Sequence, residues 1–99
     1  MTDQELSDGV LAYLQRGHAA SPRADDQAVR AVAQETPPAE LLARVQAVVT
    51  ESLAVTIDWD RLSLGDAGRF SAAETAKRHP ELSHEALDAL AWNFTYAWR

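Results

Sequence analysis

The chain has 99 residues and a formal net charge of −6, with 15 acidic against nine basic side chains and no cysteine. A chain of this length buries about two thirds of its unfolded surface, enough for one modest core, so we expect residues 1–99 to form a single helical domain. Without cysteine there is no disulfide framework and no thiolate to serve as nucleophile or zinc ligand. The negative surface disfavours phosphate backbones and anionic lipids and favours basic partners.

No apolar run approaches the roughly 20 residues that span a bilayer, and the acidic start Met1-Thr2-Asp3-Gln4-Glu5 does not resemble a signal peptide. The expectation is therefore a cytoplasmic protein that contacts neither membrane nor nucleic acid directly. Lys77 is the only lysine beside eight arginines. With the abundant alanine, this points to a GC-rich, bacterial genome and says nothing of function.

Thr2 and Glu5 have capping-box spacing, so the first helix is expected to start there. Leu6, Val10, Leu11 and Leu14 share one face, and Arg16-Gly17 suits a left-handed stop. Ser21-Pro22 reads as the start of a second, lightly packed helix running to about Gln34. Thr36-Pro37-Pro38 ends it and opens a third. Leu41, Leu42, Val45, Val48, Val49 and Leu53 give that third helix the strongest period, which nominates it as the centre of the core.

Val55, Ile57 and Trp59 alternate with polar residues, as in a short strand or extended connector. Ser63 to His79 reads as a fourth helix, its start weakened by Gly65 and Gly68, and Pro80 ends it. A fifth starts at Ser83, with Leu82 and Leu87 placed as a hydrophobic staple. The fold expected is all-α, a bundle of four or five short helices with an extended connector near residues 55–60. The alternative is α+β, because Trp92, Phe94, Tyr96 and Trp98 also alternate and could pair with residues 55–59 as a two-stranded ribbon.

No catalytic constellation is visible. His79, Glu81, His84 and Glu85 cluster around Pro80, but the two histidines stand five apart across a proline and match no zinc spacing. Asp58 and Asp60 flank Trp59 and on an extended connector would point the same way, as a small acidic clamp for acid/base chemistry or a cation. No serine lies in a Gly-x-Ser-x-Gly turn, and no Gly-Lys-Ser/Thr follows the glycines of Leu64-Gly65-Asp66-Ala67-Gly68. That segment resembles the Leu-Gly-x-Asp-Ser-Leu site of acyl carrier proteins over Leu64 to Ala67 only. It is one residue short and lacks the serine after Asp66 that would take the phosphopantetheine arm, so it implies no carrier function. A helix-turn-helix reader would want a basic recognition helix, and the third helix offers only Arg44. No cofactor or metal is expected.

The aromatic tail carries the functional expectation. As a helix, it places Phe94 and Trp98 on the core face and Trp92, Tyr96 and Arg99 on a second face. Trp, Tyr and Arg are the residues most enriched in binding hot spots. The leading expectation is thus a non-enzymatic, acidic protein-interaction or regulatory module for a protein partner, a basic one in the first instance. Its interface residues would be Trp92, Tyr96, Arg99, Asp58, Trp59 and Asp60. Small immunity and antitoxin proteins that cover a nuclease's positive active site have the same physical character, a similarity of class and charge alone. A second expectation is self-assembly, or an accessory subunit of an enzyme, through Trp92 and Tyr96. A third is a small ligand-binding or enzyme domain using Asp58 and Asp60.

Overall fold

A computed structural model describes residues 3–98 and shows five helices: α1 (Gln4–Leu14), α2 (Asp26–Val32), α3 (Pro38–Leu53), α4 (Leu64–Arg78) and α5 (His84–Ala97). No strand occurs among the described residues. The tail is helical to Ala97, so the ribbon does not form, and residues 55–58 are connector.

Helix α3 touches all four other helices. Its buried Leu41, Leu42, Val45, Val48 and Val49 meet Leu6, Val10 and Leu14 of α1, Val29 of α2, and Leu82, Ala86 and Leu90 around α5 in one core cluster. The apolar period therefore found the right centre. Local chemistry explains most boundaries. The Ser63 and Ser83 side chains accept from the Asp66 and Ala86 backbone amides, which satisfies one orphan donor at each helix start. Pro38 needs no amide partner in the first turn of α3.

The first third of the chain departs from its local signals. Thr2 lies outside the described residues, and the cap of α1 is Asp3, whose carboxylate accepts from the Leu6 amide at 3.0 Å. With Asp3 as the cap, Glu5 is the second residue of the helix and not the third, where a capping box places its acid. The Glu5 carboxylate reaches across the fold and accepts the backbone amides of Gln34, Glu35 and Thr36 at 2.7, 2.8 and 3.1 Å. These amides follow α2, which consequently ends at Val32, short of Gln34. The left-handed stop of α1 is Gln15 (φ 61°), with Gly17 (φ 90°) in the turn beyond.

Ser21-Pro22 does not open α2 either. The segment runs back along the end of α1, where the Arg23 and Asp25 amides donate to the Leu14 and Tyr13 carbonyls at 3.1 and 2.9 Å. Those carbonyls have no partner within α1, so pairing them outweighs an early helix start. Asp25 then caps α2 through the Ala28 amide.

Two glycines set close approaches. A β-carbon at Gly9 would fall 2.8 Å from Val45 Cγ2, and one at Gly68 would fall 2.9 Å from the Ala91 carbonyl oxygen. Gly68 thus lets α4 lie directly on the backbone of α5. No helix is long and apolar enough to cross a membrane among the described residues.

Candidate partner-binding face

Phe94 is fully buried, as its helical position implies. Trp98, four residues on, was expected beside it in the core, but it stays 51% exposed. The helix stops there: Ala97 is its last residue, and Trp98 is the C-cap, its amide donating to the Phe94 carbonyl. Trp59 arrives from the connector and is 45% exposed. Its ring stacks on Phe94 with centroids 6.3 Å apart and 22° between planes, and it tilts against Trp98 at 5.6 Å and 50°. Phe94 and Trp98 complete the triangle at 6.0 Å. The result is a two-tryptophan surface seated on a buried phenylalanine. Such offset pairs are attractive by about 0.5–1.5 kcal/mol beyond the area they bury, so the rings hold each other in place.

The acidic pair beside Trp59 does not form the expected clamp. Residues 58–61 turn back instead of extending, with the Arg61 and Leu62 amides both donating to the Asp58 carbonyl at 3.1 Å. The Asp58 side chain accepts from the Asp60 amide at 3.2 Å and pairs with Arg61 Nε at 3.4 Å. An aspartate that bonds the amide two residues on stabilises a tight turn, and this use takes up its carboxylate. Asp60 is exposed, and its side chain has no hydrogen bond or ion pair among the described residues.

Trp92 and Tyr96 are placed on a separate face and are engaged by their own chain. Trp92 packs against the core, and its ring meets Tyr96 edge-on at 5.8 Å. The Arg16 guanidinium lies 4.9 Å above the Trp92 ring, and the Tyr96 hydroxyl donates to the Ala20 carbonyl at 3.2 Å. These contacts tie α5 to the turn after α1. Arg99 lies outside the described residues.

The residues around Pro80 also separate. His79 turns to α3, where Nε2 meets Glu51 Oε2 at 2.5 Å, and Nδ1 lies 4.0 Å from Glu81. They border a cleft of about 240 Å³ with Leu6, Arg44 and Val48. His84 and Glu85 are exposed in the first turn of α5. Glu51 and Glu81 address opposite nitrogens of the imidazole and so do not converge on one point. No group of three or more histidine or acidic side chains is arranged to hold a metal ion among the described residues. The cluster works as a fastening: His79 pins the end of α4 to α3, while the Asp3 amide donates to the Glu81 carbonyl at 2.7 Å and Arg44 pairs with Asp3 at 3.2 Å.

Trp59 stands out in the sequence and helical spacing puts Trp98 with the core, but neither feature pairs the two rings.

Comparison of the chain with protein-family models, with curated proteins and with solved structures finds no match.

Proposed function

We propose that this chain is a non-enzymatic, single-domain protein-interaction module that docks a basic polypeptide through the Trp59–Trp98 face. The observation that carries the proposal is the pair itself. Two of the chain's three tryptophans remain about half exposed in mutual contact, although the chain has few large apolar side chains with which to build a core. Tryptophan is prominent among the side chains that dominate binding energy at interfaces. The net charge of −6 and the exposed Asp60 favour a basic partner and speed its encounter. A regulatory role, in which the module covers a basic surface of another protein, follows from the same charge and shape. A cytoplasmic setting is part of the proposal and is compatible with the absence of cysteine.

This reading moves the contact from the Trp92–Tyr96 face to the Trp59–Trp98 face, because the former already has intramolecular partners. Calorimetric titration of the intact chain with a basic peptide, at about 0.15 M ionic strength to screen non-specific attraction, tests it. Saturable binding that weakens at least tenfold in Trp59→Ala/Trp98→Ala, with the helical circular dichroism retained, supports the face. Equal binding by the double variant would refute it.

A further inference from the structure

The Trp59–Trp98 pair has a feature that narrows what it can take. The planes stand 50° apart and each side chain is about half exposed, so part of each indole surface stays open to solvent. The adjacent turn carries three charged side chains. Asp58 and Arg61 neutralise each other at 3.4 Å, which leaves Asp60, next to Trp59 in the chain, as an exposed carboxylate with no ion pair among the described residues. An exposed π-face with such a carboxylate on the neighbouring residue is complementary to a cation that is flat, weakly hydrated and able to hydrogen-bond along its edge. A guanidinium has these properties, whereas an ammonium is compact and strongly hydrated. The same chain already makes such a contact internally, with Arg16 stacked 4.9 Å over Trp92.

Building on the function proposed above, we infer that the exposed surface of the Trp59–Trp98 pair is a receptor for an arginine side chain of the basic partner. The guanidinium lies on the indole faces and donates to the Asp60 carboxylate. Arginine, not lysine, is then the specificity-determining residue on the other protein.

Two dye-labelled peptides of equal length and charge, one carrying arginines and the other lysines, serve as probes in fluorescence anisotropy at about 0.15 M ionic strength. The arginine peptide binds about two- to fivefold tighter, the range a cation stacked on an exposed indole is worth, because the weakly hydrated planar guanidinium makes that contact more fully than an ammonium. Trp98→Ala and Trp59→Ala each abolish the preference, Asp60→Asn weakens the arginine peptide several-fold, and Trp92→Phe changes nothing. Circular dichroism confirms that each variant is folded, and the two tryptophan variants provide independent readouts if one is not. If both peptides bind alike and both lose affinity with the tryptophans, the arginine receptor is refuted while the docking face stands. If neither peptide's binding responds to Trp59 or Trp98, both readings fall.

Discussion

Replacing Gly68 by alanine tests the packing of α4 on α5. The new β-carbon would stand 2.9 Å from the Ala91 carbonyl oxygen and 3.1 Å from Thr95 Cγ2. The first of these atoms is backbone and cannot rotate away, so the helices must separate. Overpacking of this kind costs about 1–3 kcal/mol. Alanine returns up to about 1 kcal/mol through its better helix propensity. Gly65 supplies the reference: it lies in the first turn of the same helix, and a β-carbon there meets nothing within 4 Å. Subtracting Gly65→Ala from Gly68→Ala largely cancels the propensity gain and leaves a difference of about 1–3 kcal/mol. For a domain of this size, each kcal/mol shifts Tm by about 4–8 °C. Thermal unfolding followed by far-ultraviolet circular dichroism should place Gly65→Ala at or above the parent and Gly68→Ala well below Gly65→Ala. Equal Tm values for the two variants would refute the close approach.

Phe94→Ala removes the fully buried base of the aromatic face and should cost about 3–5 kcal/mol in urea unfolding, whereas Trp98→Ala, from a half-exposed ring, should cost about 1 kcal/mol. Comparable losses would mean that Trp98 is core after all. Ser83→Ala removes the cap of α5 and should destabilise by about 1 kcal/mol in the same assay, and no loss would refute the capping contact at Ala86. The Thr36 side chain, and then the backbone amides of Gln34, Glu35 and Thr36, lower the Glu5 pKa from 4.5 to about 2. A carboxyl whose folded pKa lies below its unfolded value stabilises the fold above the unfolded pKa, and that stability is lost as pH falls through the folded one. Glu5→Gln should therefore lower Tm at neutral pH, with the deficit shrinking between about pH 4.5 and 2. A deficit independent of pH would show that the carboxylate charge is not what holds residues 34–36.

The elements visible in the sequence are those whose causes are local. Pro37-Pro38, Ser63, Ser83 and the stop at Pro80 mark helix ends with chemistry contained within a turn, and the period from Leu41 to Leu53 is itself a packing pattern. The misread parts depend on distant partners. Glu5 has capping-box spacing from Thr2, yet it bonds amides about 30 residues away. Pro22 is a good first-turn residue, yet the unpaired carbonyls at the end of α1 claim the chain around it. Neither competitor can be seen without the third dimension.

The site was half visible for the same reason. Composition singles out the tryptophans, and helical spacing separates Trp92 and Tyr96 from Phe94 and Trp98. Spacing places a side chain on a face but does not say whether anything covers that face. Trp98 is left half exposed where α5 ends, and Trp59 joins it from 39 positions earlier in the chain. Asp58 and Asp60 look equivalent as a pair flanking Trp59. The turn at 58–61 makes one a structural acceptor and leaves the other available.

The most direct measurement of the docking face uses the chain's own three indoles. Their Nε1–H resonances can be assigned with single Trp→Phe variants and followed while an arginine-containing basic peptide is titrated in at about 0.15 M ionic strength. The account predicts saturable shifts of the Trp59 and Trp98 signals, with that of Trp92 unmoved beneath Arg16. Shifts confined to Trp92, or saturable binding that moves neither Trp59 nor Trp98, would contradict it.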